Sequence, residues 1–143
     1  MSDIFHRLEH GLVDFLSSQL TGVNVYTGDS GSAVITPYVA VYSTEAETLN
    51  TIGDSTTDFV DVRVIVATDI DNDAPTLVTE ISSQLRSAID LIDEGSWEDS
   101  ARELVIHGMQ KLSTDRANRG QSRGIIYRYR VAASYRENSA GNC

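Results

Sequence analysis

The chain has 143 residues, 41% of them hydrophobic and 22% charged, with a formal net charge of −10. That is enough chain for one self-sufficient core, and the lone cysteine, Cys143, excludes a disulfide framework or a multi-cysteine zinc site within one copy. No apolar run approaches the ~18 residues a membrane-spanning helix needs, residues 1–7 do not read as a signal peptide, and so acidic a chain is a poor match for a dedicated DNA-binding module.

The first predicted element is an amphipathic helix over residues 3–20. Ile4, Leu8, Leu12, Leu16 and Leu20 recur every four residues, with Phe5 and Phe15 beside the stripe. Ser2 can cap its start and Gly22 ends it. His6 and His10 lie one turn apart; a metal there would need a third ligand from elsewhere, so they read as a polar, solvent-facing surface. A short strand follows over residues 23–26, then a glycine-rich turn over 28–32. Residues 37–43 form a second strand, with Tyr38, Ala40 and Tyr42 on one side and Val39 and Val41 on the other. Residues 44–57, rich in Thr, Ser, Glu and Asp, read as a long excursion.

Residues 59–68 give the clearest strand signal, with Val60, Val62, Val64 and Val66 on one face. An acidic turn, Asp69 to Pro75, leads into a helix that runs to about Asp93; Asp71 or Asp73 is its cap. Leu77, Ile81, Leu85, Ala88, Ile89 and Ile92 form its buried face. Residues 95–103 read as a connector holding the only tryptophan, Trp97. Residues 104–113 and 122–135 form a hairpin, and in its second strand the tyrosines 127 and 129 alternate with Arg128 and Arg130. Residues 1–137 make one domain, and 138–143 a disordered tail. The order α-β-β-β-α-β-β predicts a two-layer α+β sandwich, a mostly antiparallel sheet with two main helices on one face.

Two motifs tempt a chemical reading. Gly28-Asp29-Ser30-Gly31 resembles the turn around the nucleophile of trypsin-like proteases, but only His6 and His10 precede it, and the chain is too short for a double barrel. Asp69-x-Asp71-x-Asp73, with Glu80 twelfth, mimics a calcium loop, but Ala74 stands where the loop needs Gly, and Pro75 follows. It reads as a cap that favours the positive end of the helix. No metal, cofactor or catalytic constellation is expected.

The charge is unevenly spread. Residues 1–110 hold 19 acidic side chains against four arginines, a balance of −15, while residues 111–143 carry +5. Arg116, Arg119 and Arg123 gather at the hairpin loop, where neighbouring cations repel. These three, with Arg128 and Arg130, are therefore expected to face an acidic surface of another copy. Residues 44–58, or Asp69, Asp71 and Asp73, would supply it. Such unlike surfaces favour head-to-tail packing.

The whole pattern resembles the tail terminator (tail-completion) proteins of tailed bacteriophages. The features are the helix from Ile4 to Leu20, the strand Pro37-Tyr38-Val39-Ala40-Val41-Tyr42, the valine-rich strand, the helix Leu77-x3-Ile81-x3-Leu85-x3-Ile89, and the closing Tyr127-Arg128-Tyr129-Arg130-Val131. The resemblance implies a non-enzymatic virion protein, assembled in the host cytoplasm. It implies a ring, most often a hexamer, that caps the head-proximal end of the tail tube and stops its polymerisation. Its partners would be itself, the tail tube protein and a neck or connector protein. DNA would pass through without specific binding, and no membrane is involved. Other phage neck or head–tail joining proteins, and a protein-binding α+β domain from another system, are the alternatives.

Overall fold

The computed structural model describes residues 4–27, 37–52, 55–69, 74–93, 97–116 and 122–136; at 50–52, 55, 69, 74, 75, 122, 123 and 136 it describes the backbone alone. The elements are α1 (Ile4–Gln19), β1 (Asn24–Thr27), β2 (Tyr38–Ile52), β3 (Ser55–Asp69), α2 (Ala74–Asp93), β4 (Trp97–Asp99), a 3-10 turn (Ser100–Arg102), β5 (Leu104–Arg116) and β6 (Ser122–Arg136). The six strands make one sheet in the order β1-β2-β3-β6-β5-β4. Only β1 and β2 run parallel; every other neighbouring pair is antiparallel. Both helices pack on one face, so the fold is the expected two-layer α+β sandwich.

The valine periodicity of β3 accounts for the centre of the core. Val60, Val62, Val64 and Val66 are each at most 1% exposed, beneath Leu8, Leu12 and Leu16 of α1 and Ile81, Leu85 and Ile92 of α2. Burying each such side chain contributes about 1.5–3 kcal/mol, before chain entropy is set against it. On α2 the buried stripe starts at Val78, and Leu77 lies half-buried beside it. Gly22 ends α1 with φ 72°, a conformation that favours glycine.

Two expectations need correction. The excursion expected over residues 44–57 is strand: β2 runs on to Ile52 and β3 begins at Ser55, in a long hairpin whose ladder pairs Ile52 with Ser55. From Thr44 to Leu49 the side chains are exposed, so no alternation of apolar and polar residues announces a strand there. The connector over residues 95–103 contains β4, which pairs Trp97 with Ile106, and a 3-10 turn. Packing holds this short segment in place. The Trp97 ring meets Phe15 edge-on at 5.6 Å, and Arg102 bridges Asp99 (2.6 Å) and Asp14 of α1 (2.8 Å). Gly11 lets α1 come close: a Cβ there would stand 3.2 Å from Leu104 and 3.3 Å from the Asp99 carboxylate.

The tyrosine–arginine alternation of β6 sorts as read from the sequence. Tyr127 and Tyr129 are buried on the helix side, 8% and 6% exposed, while Arg128 and Arg130 alternate to the other face. Burial pushes the Tyr129 hydroxyl up to about 12 from an ordinary 10.0; neighbouring Tyr127 and then Asp90 add to the rise, and Arg86 opposes it. The folded chain thus holds this proton more tightly than the unfolded one. Its contribution to stability is complete below pH 10.0 and is lost as the pH rises through about 12. In alkaline denaturation, Tyr129→Phe is expected to flatten the fall in stability across that window, with tyrosine absorbance reporting the missing late titration.

Candidate subunit interface

With both helices on one side, the opposite face of the sheet carries no second layer among the described residues. The strand registers define its rows. Tyr38, Ala67 and Gly124 stand in one row, and Ala40, Ile65 and Ile126 in the next. Tyr26 meets Tyr38 edge-on at 6.1 Å, so this end of the face is aromatic and apolar. Tyr42, Arg63, Arg128 and Ser113 form the third row, and Glu45, Asp61, Arg130 and Gln110 the fourth.

The third row is electrostatically odd. Arg63 and Arg128 are directly opposite on neighbouring strands, and neither makes an ion pair among the described residues. Like charges so placed destabilise a sheet. In the fourth row the arginine has an acidic partner: Arg130 Nε stands 3.8 Å from Asp61 Oδ1, and its guanidinium lies 5.6 Å from the centre of the Phe59 ring.

The residues singled out from the sequence separate into two places. Arg128 and Arg130 belong to this open face. Arg116 is exposed at the end of β5, opposite Ile125, and Arg123 pairs with Thr68 along the β3–β6 ladder. Asp69 pairs with Ser122, next to Arg123. Asp69 thus lies at the same end of the sheet as Arg123 and Arg116 of its own chain. Arg119, Asp71 and Asp73 lie outside the described residues, as do the Gly28–Ser32 turn and the tail over 138–143.

Sequence reasoning missed Arg63. A basic residue in the valine-rich strand was visible, but its placement against Arg128 depends on a register between strands far apart in sequence. It also missed the outer-face chain of hydroxyls. His107 Nε2 and Ser134 Oγ are 2.7 Å apart, and Ser134 Oγ is 2.7 Å from Thr57 Oγ1. Among the described residues no carboxylate hydrogen-bonds His107, so the group that would orient a base for nucleophilic attack is not in place there. On the helix side, His6 and His10 stack with ring centres 4.2 Å apart.

The two outer strands of the main sheet share one construction. β2 skips Thr44 and Leu49 in its pairing with β3, and β5 skips His107 and Leu112 in its pairing with β6. These are bulges with the same spacing on both strands. At the first bulge of β2, Glu9 of α1 accepts hydrogen bonds from the Ser43 amide (2.9 Å) and hydroxyl (2.5 Å). Beside the first bulge of β5, Asp93 of α2 accepts from the Met109 amide at 3.1 Å. Each helix thus ties down one edge amide with a carboxylate. Gly108 fits this arrangement, since a Cβ there would meet Asp93 Oδ1 at 3.2 Å. Asp93→Ala is expected to cost about 1 kcal/mol in urea denaturation, less than a buried hydrogen bond to a charged group because Asp93 is exposed. Faster amide exchange at Met109 would accompany it.

No protein-family model matches the chain, and comparison with curated proteins finds no match. Among the described residues no helix is long and apolar enough to cross a membrane. The class that the geometry defines is an α+β sandwich whose second sheet face carries no helix among the described residues.

Proposed function

We propose that the chain is a structural subunit of a tailed bacteriophage particle. Copies of it form a ring, a hexamer, at the head-proximal end of the tail tube. The ring stops tube polymerisation and gives the neck a surface on which to dock. The reading rests on the resemblance set out above, and the observation that carries it is the Arg63–Arg128 row, which has no ion pair among the described residues, on a sheet face that no helix covers among them. That row is unfavourable in a lone chain and becomes favourable against an acidic protein surface. The tail tube protein or the neck protein supplies that surface in this reading, and no catalysis is involved.

A second reading has one observation in its favour. Tyr26, Tyr38 and Tyr42 share the open face with Arg63 and Arg128, and aromatic rings beside arginines are how sheets hold single-stranded nucleic acid. The net charge of −10 opposes it. One pair of measurements separates the two. Particle mass and electron images of the purified protein, alone and in phage particles, are expected to show six-fold rings at the tail–neck junction. Salt-dependent retention of single-stranded DNA, with no rings in particles, overturns the assembly reading.

A further inference from the structure

We propose that copies of this chain join edge to edge, the free edge of β2 in one copy pairing antiparallel with the free edge of β5 in the next, so that the sheet continues from subunit to subunit. This rests on the ring reading only for the number of copies; the contact itself is argued from the edges.

β1 pairs with β2 only as far as Val41, and β4 pairs with β5 only as far as Ile106. Among the described residues, 42–52 of β2 and 107–116 of β5 therefore have no strand on their outer side. Long open edges of this kind are templates for pairing, and proteins blunt them unless they are used. Here the blunting is partial and local. Glu9 and Asp93 occupy the amides of Ser43 and Met109, which confines any partner strand to the segments beyond, 45–52 and 110–116.

Three features match these two segments to each other. Their directions suit: β2 and β5 run antiparallel within the sheet, and Gln110 stands level with Glu45, so a copy in the same orientation, moved sideways and also shifted along the strands, sets 110–116 of β5 antiparallel to 45–52 of β2. Their shapes suit: each edge carries two bulges five residues apart, 44 and 49 on β2, 107 and 112 on β5. Their charges suit: Glu45 and Glu47 mark the β2 segment, while Lys111 and Arg116 outnumber Asp115 on the β5 segment. Two β2 edges would set glutamates against glutamates, so the unlike pairing is favoured over a two-fold dimer.

The exposed leucines give an independent mark. Three large hydrophobic side chains stand out as exposed among the described residues. Leu49 (51%) and Leu112 (43%) are the skipped residues at the second bulge of each edge; the third, Leu91, lies on α2. Mating the edges covers one leucine from each side of every contact.

The test places cysteines at Leu49→Cys and Leu112→Cys, together and singly, in a full-length Cys143→Ser background, and treats each with a short bismaleimide. The double variant is expected to give a ladder of covalent multimers, and each single variant none. Leu112→Glu, with an unchanged circular dichroism spectrum, is expected to raise the self-association constant for dissociation at least tenfold. A covalent dimer from Leu49→Cys alone overturns the proposal, because like edges would be meeting. A chain that stays monomeric at about 1 mM, where even a contact of ~4 kcal/mol would register, also overturns it. Multimers in solution without a ladder overturn this contact and leave the ring reading standing. A ladder with no rings in phage particles leaves the contact standing and overturns the ring reading.

Discussion

Leu8→Ala is expected to lower the free energy of unfolding by about 2–5 kcal/mol, measured as a shift of the urea midpoint at constant slope. Leu8 is 0% exposed in the middle of the α1 stripe, within the cluster that holds the valines of β3. Truncation removes the transfer free energy of its methyl groups and leaves a cavity that long, mutually braced strands cannot collapse to fill. A domain of this size has about 5–15 kcal/mol in total, so the change approaches the threshold of folding. Leu91→Ala is the control. Leu91 is 56% exposed on α2, and its loss is expected to stay within about 0.5 kcal/mol. Equal effects at the two positions would mean that α1 does not seat as described.

Tyr135→Phe is expected to cost about 1–3 kcal/mol, although it removes a single oxygen. Asp58 is 3% exposed, and its Oδ2 accepts a hydrogen bond from the Tyr135 hydroxyl at 3.2 Å. Its other oxygen, Oδ1, is buried without a hydrogen-bond partner among the described residues. Arg7, itself only 8% exposed, lies with its guanidinium 5.4 Å from the centre of the Tyr135 ring. Removing the hydroxyl strands a buried carboxylate, and that penalty is larger than the net strength of the bond. The signature is non-additivity. Asp58→Ala made in the Tyr135→Phe background should cost less than in the parent chain, with a coupling of about 0.5–3 kcal/mol. Strict additivity would show that the two groups do not depend on each other.

The parts of the fold legible in the sequence are those where one face of an element is buried and the other is not. The four-residue recurrence of α1, the valines of β3 and the tyrosine–arginine alternation of β6 each report such a boundary. Where the boundary is missing, so is the signal. Residues 44–49 lie in a strand whose both faces are wet, and composition alone made them look like loop. β4 is too short for any period to register, and Trp97 is fixed by Phe15 rather than by its sequence neighbours. The face opposite the helices is half legible for a related reason. That Arg128 and Arg130 leave the core follows from alternation within one strand. That Arg63 confronts Arg128, and that Asp69 sits beside Arg123's own ladder, follows only from pairing between β3 and β6.

That same pairing sets the order of events on the ribosome. The middle of the sheet is built from β3 and β6, and the whole of α2, β4 and β5 is synthesised between them. A nascent chain that has emerged as far as β5 holds a finished β2–β3 hairpin with β1 beside β2 and no strand yet beside β3. The inner face of that hairpin is a row of valines, and its open side is the one β6 will later occupy. β6 is therefore the keystone of this sheet, and a message cut short before residue 122 would yield a chain that sticks to others rather than a smaller folded domain.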